Sequence, residues 1–205
     1  MAITINGNGT LTGVSVGGLP DGIVDTDMLA SNAVTAAKSS GLGITHARTY
    51  RITTAFTLTS GSADITSNWE YDDSTGVGFL GSGWALPSSG AFSFPATGIY
   101  EVRVHSSWYA GSGTNTPYGG LTLVGTANNF SSEGVRAQAY SSQSDDLNQA
   151  RYHNVHVSAI FDVTDTSNNK FKIKTYRDPN YDNIVIVGGS SENNTYVEVI
   201  RLGDT

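Results

Sequence analysis

The sequence predicts an all-β head, a sandwich or barrel, preceded by an extended and short-helical N-terminal segment. Three observations carry this reading. From about residue 45 onward apolar residues recur at every second position in several runs; clusters of Gly, Asn, Asp and Ser separate those runs; and residues 1–44 hold no aromatic side chain. Period-two alternation belongs to half-buried strands, because successive side chains point to opposite faces of a sheet. Many short strands punctuated by turns make a sandwich or a barrel. A short segment without aromatics lacks the apolar surface for a core of its own. The chain is therefore divided into an attachment and linker segment, 1–44, and a head, 45–205.

Ile3, Ile5, Leu11, Val14 and Val16 are separated by Gly and Asn, which predicts short extended pieces joined by tight turns. A helix is expected next, capped by Asp25 or Thr26, with Leu29, Ala33 and Ala36 on one face and Gly41 ending it. Its stripe is narrow and made of small residues, so it gains stability only by packing on copies of itself or on another protein. In the head, Tyr50, Ile52, Phe56 and Leu58 are assigned to one face of a strand. Tyr100, Val102, Val104 and Trp108 form a second face, with Glu101, Arg103 and His105 opposite. Val155, Val157, Ala159, Phe161 and Val163 form a third; Phe171, Ile173 and Thr175 form a fourth, backed by Lys170, Lys172 and Lys174. Ile184 to Val187 is apolar on both sides and reads as a fully covered strand. Turn clusters fall at 111–113, 128–129, 141–146, 165–169 and 178–183.

Composition narrows the function. Of 205 residues 14% are charged, 24 are Gly and none is Cys, so the surface is solvated chiefly by hydroxyls and amides, and disulfides, thiolate metal sites and a Cys nucleophile are excluded. The net charge of −7 argues against binding nucleic acid, which requires a concentrated basic face. The first residues lack a basic start and an apolar run, and no stretch approaches the roughly 20 apolar residues that span a bilayer, so neither a secretory signal nor membrane insertion is expected.

The motifs point away from catalysis. Gly76-Val-Gly78-Phe-Leu-Gly81 has dinucleotide-loop spacing, but Ser82-Gly83-Trp84-Ala-Leu-Pro87 follows instead of a helix, so it reads as a surface loop. His153 and His156 point to opposite faces of a strand and cannot meet one ion within a chain; a threefold axis gathering one His from each subunit is the remaining metal option. His105 shares a face with Glu101 and Arg103 in a solvated polar ladder, and His46 has no identifiable partner. The pairs Asp72-Asp73 and Asp145-Asp146 are read as solubility residues of loops, and the three lysines as protection of a sheet edge or an exposed face, with anionic sugars as the rival ligand. No catalytic, cofactor or metal residue is assigned. Aromatics at strand ends and in loops are the better lead, because their rings stack on sugars and anchor protein contacts. Trp108, Tyr109, Tyr118, Tyr140 and Tyr181 are the candidate receptor contacts, with Tyr152 and Tyr176 beside them; Ile3, Ile5, Leu11, Val14 and Leu29 are the candidate attachment residues.

Three stretches carry a resemblance. Phe92-Ser-Phe94-Pro95-Ala-Thr-Gly98-Ile-Tyr100-Glu-Val102 resembles the run that enters a central strand in the trimeric jelly-roll heads related to tumour necrosis factor and complement globular domains, and Asn194 to Thr205 is similar to the final strand of such heads. Gly18 to Gly22 and Leu29 to Lys38 resemble the linkers of bacteriophage fibre proteins. The resemblance implies a jelly-roll head and a homotrimer; the sequence departs from the complement-type heads in having no cysteines and no assured calcium ligands. It further implies a virion structural protein, made in the host cytoplasm, whose N-terminal segment binds other virion proteins and whose head meets a host cell-surface glycan or protein. A capsid decoration or cement protein that stabilises the shell, and a tail-associated polysaccharide depolymerase, are the alternatives; a soluble lectin or cytokine-like module is a third.

Overall fold

The computed structural model describes residues 4–5, 11–12, 43–142 and 148–205. The chain divides into two compact units, residues 1–40 and 41–205. In the first, β1 (Thr4–Ile5) pairs antiparallel with β2 (Leu11–Thr12), placing Ile5 opposite Leu11. Extended pieces thus occur at two of the expected positions. Ile3, Val14, Leu29 and the helix expected between Asp25 and Gly41 lie outside the described residues, as do Asp145 and Asp146.

The second unit is an antiparallel two-sheet sandwich, with no helix among the described residues. The front sheet is built on β8 (Gly98–Ala110), which pairs along its whole length with β11 (Arg151–Val163) and on its other side with β14 (Tyr196–Gly203). Beyond β14 come β3 (Ala47–Ile52) and β6 (Trp69–Tyr71), while β13 (Ile184–Ile186) continues beside the far end of β8 and carries β4 (Phe56–Leu58). The back sheet runs β10 (Gly134–Ser142), β9 (Tyr118–Thr126), β12 (Lys170–Arg177), β5 (Ser62–Asp64), with β7 (Phe92–Ser93) also on β12.

The core lies between these sheets and follows the alternation. Tyr100, Val102, Val104 and Trp108 of β8 are buried, as are Val155, Val157, Phe161 and Val163 of β11 and Phe171, Ile173 and Thr175 of β12. Each large apolar side chain so placed contributes about 1.5–3 kcal/mol relative to exposure. The Phe92 to Val102 run supplies the aromatic centre: Phe92 stacks on Phe171 at 4.7 Å, and Phe94 tilts against Tyr100 at 4.8 Å. Its turn is closed by the Tyr100 hydroxyl donating to the Ala96 carbonyl at 3.0 Å. Gly98 has φ 142° and would press a Cβ into the Arg201 side chain and the Gly203 carbonyl, so glycine is required there.

Four expectations are corrected. Tyr50 to Leu58 is two strands, because the chain bends at residues 53–55: Thr53 N–H bonds the Asn68 carbonyl, and Gly189 N–H bonds the Ile52 carbonyl. Val185, on the second side of β13, is half-buried where full cover was expected. Arg51, which alternation turns away from the core, is only 1% exposed. The reason is the third correction, since Asp72-Asp73 is a counter-ion loop. Arg51 donates to Glu70 at 2.7 Å, Asp72 at 3.0 Å, Asp73 at 2.7 Å and Ser74 Oγ at 2.6 Å. Burial pushes the Asp72 carboxyl up, but hydrogen bonds from Asn193 and Ser74 and the Arg51 charge outweigh it and hold the group below its usual value. Fourth, His46 does have partners: Nδ1 lies 3.1 Å from Thr45 Oγ1, and the ring meets Trp84 edge-on at 6.1 Å.

Candidate functional site

Two surfaces concentrate chemistry. The first is the solvent face of the front sheet, where strand register sets side chains in rows. Tyr152, Tyr109 and Val185 lie side by side across β11, β8 and β13; His156, His105 and Tyr196 across β11, β8 and β14; then Ser158, Arg103 and Glu198; then Ile160, Glu101 and Ile200. Tyr152 is 70% and Ile160 58% exposed, and Leu202 is exposed near the end of β14. Tyr109 and Tyr152 pack ring to ring at 5.3 Å. Arg103, His105, His156, Ser158, Tyr196 and Glu198 line a shallow hollow at the centre. There His105 stacks on Tyr196 at 5.2 Å; burial pushes its imidazole below the usual value, a hydrogen bond with Asn154 opposes that, and His156 lowers it further.

His153 and His156 do point to opposite faces. His153 turns inward and stacks on Trp108 at 4.3 Å, while its Nδ1 lies 3.3 Å from Ser141 Oγ. Among the described residues no three His, Asp or Glu side chains converge as metal ligands.

The second surface lies at one end of the back sheet. Register puts Tyr140 of β10, Gly120 of β9 and Tyr176 of β12 in one row, with Tyr118 two residues before the glycine. Tyr118 stacks on Tyr176 at 5.7 Å, and Tyr140 meets both edge-on at 5.6 Å. Glycine makes this seat possible, because a Cβ on residue 120 would stand 2.5 Å from Tyr140 Cδ1. The Tyr118 and Tyr176 hydroxyls are 3.5 Å apart, and this hydrogen bond, with desolvation and the charge of Asp178, pushes the Tyr118 phenol up to about 12. In the next row Gln138 Nε2 donates to Thr122 Oγ1 at 3.0 Å. Lys174 of that row is ion-paired with Glu133 and Asp64, and Lys172 sits 3.4 Å from Asp64 and over the Phe130 ring. Lys172 and Lys174 are thus tied to acids, whereas Lys170 donates to the Asn129 side-chain carbonyl at 2.6 Å.

The candidate contacts separate accordingly. Trp108 is 1% exposed and is corrected to core: it fills the space over Gly119, where a Cβ would come within 2.5 Å of its ring. Tyr109 belongs to the front face, Tyr118 and Tyr140 to the back cluster. Tyr181 lines a polar groove with Asn115, Pro179, Asn180 and Asp182, where Asp182 Oδ2 accepts from Asn115 N–H at 2.7 Å. Ile5 and Leu11 pair in the first unit. Sequence reasoning placed residues 76–87 in a surface loop but did not single out its exposed apolar side chains, Val77, Phe79, Leu80 and Leu86, and it missed the His105–His156 neighbours. The loop was visible as apolar residues between glycines; the histidine pair had no signal, since register is not written in either strand alone.

No family model matches the sequence, and no curated protein matches it. Solved structures do match. An Eiger TNF from S. frugiperda superposes with TM-score 0.54 at 12% identity, covering 80% of this chain and 95% of that one. Murine APRIL at pH 5.0 gives 0.51 at 12% identity, over 77% of this chain and 99% of that one. APRIL at pH 8.5 gives 0.51 at 13% identity, over 77% and 98%. The head is a tumour-necrosis-factor-like jelly roll. At such identity the likeness concerns the fold, and the expected jelly roll is the part of the sequence reading that it supports.

Proposed function

We propose that this chain is a bacteriophage virion structural protein, a homotrimeric fibre or knob that residues 1–44 attach to the particle and whose jelly roll is presented for adhesion to a host surface. The observation that supports it best is the front face, where exposed Tyr152, Ile160 and Leu202, with half-buried Tyr109 and Ile200, surround a polar centre. Exposed aromatic and aliphatic side chains of this size on a regular sheet are stabilised by burial against a second protein surface, and closed symmetry lets copies of one chain cover one another. The back sheet then stays free to face outward, and linking several heads multiplies a weak contact into strong attachment. Size-exclusion chromatography with light scattering tests the assembly: the expected mass is about three times the 21.6 kDa of the chain. A monomer at micromolar concentration refutes it.

A further inference from the structure

We propose that the tyrosine cluster of the back sheet, Tyr118, Tyr140 and Tyr176, is a binding site for neutral glycans, with a pyranose ring lying against Tyr140. The inference names the ligand class of the adhesive head and rests on that reading for its biological setting.

Tyr140 is 52% exposed, yet its ring is held from below by the Gly120 seat and from the side by two tyrosines. A half-exposed aromatic ring with its rotamer already fixed loses little conformational freedom when a ligand covers it. The surroundings select the ligand. A protein-binding hot spot is ringed by further contacts that exclude water, across some 20–30 residues a side. Here the three rings sit in a polar field of Gln138, Ser142 and Ser62, all exposed. A molecule that alternates C–H faces with hydroxyls matches that field: the ring face takes the C–H side, and phenol and amide groups take the hydroxyls.

Charge selects further. Lys172 and Lys174, the cations nearest in the register, are already paired with Asp64 and Glu133. The adjoining loop brings Asp178, whose charge is felt at Tyr118, and Asp182. A uronate or sulfate would meet carboxylates, and the lysine of β12 held by an amide instead of an acid, Lys170, stands six residues from Tyr176 along the strand, whereas a neutral sugar carries no such penalty.

The test uses the full-length protein against maltohexaose, cellohexaose, chitohexaose and a hexagalacturonate, by titration calorimetry and saturation-transfer NMR. At least one neutral hexasaccharide is expected to bind and the uronate not to. Tyr140→Ala weakens that binding by about tenfold or more, the loss typical of a central contact. Tyr140→Phe, which keeps the ring, changes it less than about threefold. No binding by any neutral sugar, equal binding of the uronate, or an undiminished Tyr140→Ala variant overturns the proposal. Light scattering on the same samples keeps the two readings apart: a trimer that binds no sugar refutes this site and spares the assembly, and a monomer that binds sugar through Tyr140 does the reverse.

Discussion

Arg51→Met removes the guanidinium that Glu70, Asp72, Asp73 and Ser74 share, while keeping an unbranched stem of similar length. Stripping one partner from a buried ion pair costs about 3–5 kcal/mol, because the other charge is left without compensation. Here the Asp72 side chain is 2% exposed and suffers in full, whereas the Glu70 and Asp73 side chains, at 31% and 80%, turn to water. Asp72 also keeps its bond from Asn193 at 2.6 Å. The lower end, about 3 kcal/mol, is therefore expected, equivalent to roughly 6–12 °C in Tm for a domain of this size. The pH dependence follows from the sign of the Asp72 shift. Its folded carboxyl lies below the unfolded value, so the stabilisation is present above the unfolded value and is lost as pH falls through the folded one. Without Arg51 the carboxyl protonates more readily, and the gap between wild type and variant closes toward acid. Urea unfolding followed by tryptophan fluorescence at about pH 7 and about pH 3.5 reads both effects. A loss under about 1 kcal/mol at neutral pH, or a gap that does not narrow in acid, refutes the reasoning.

Further outcomes follow from the same packing. Gly119→Ala drives a methyl to 2.5 Å from the Trp108 ring and should cost about 1–3 kcal/mol, read as a lowered Tm and a shifted tryptophan emission. Burial holds the imidazoles of His46, His105 and His153 below their usual value, so the unfolded chain protonates first; stability falls as pH drops from about 7 to about 5, and a Tm independent of pH in that window contradicts the burial. Tyr152→Ala should raise the dissociation constant of the assembly about tenfold or more in sedimentation experiments while leaving the monomer fold intact by circular dichroism. Deleting residues 1–44 should leave the head folded with its Tm within about 2 °C of the full chain, since its core is drawn from residues 50–199.

What was legible in the residues is what each strand carries by itself. The inward sets of β8, β11 and β12 could be read directly because alternation is local: a side chain two positions along returns to the same face whatever lies across from it. The Phe92 to Val102 run was legible for the same reason, its Pro, Gly and aromatic spacing encoding a turn and a core-facing strand. Trp108 shows the limit, being assigned both to a core face and to a contact surface; the choice depended on Gly119 of another strand, which makes room for the indole. Arg51 alternates with the core residues Tyr50 and Ile52 and is buried because a loop more than twenty residues away folds its acids over it. The lysines were legible as one charged face, but the acids that pair Lys172 and Lys174, Asp64 and Glu133, come from separate elements. The two candidate surfaces are likewise products of register: His156 meets His105, and Tyr140, Gly120 and Tyr176 align, because whole strands settle at one offset and not another. That offset is chosen by the burial of all inner side chains at once. Local alternation therefore specifies an all-β fold and most of its core, whereas the partner of each polar or aromatic group depends on strands and loops far away in the chain.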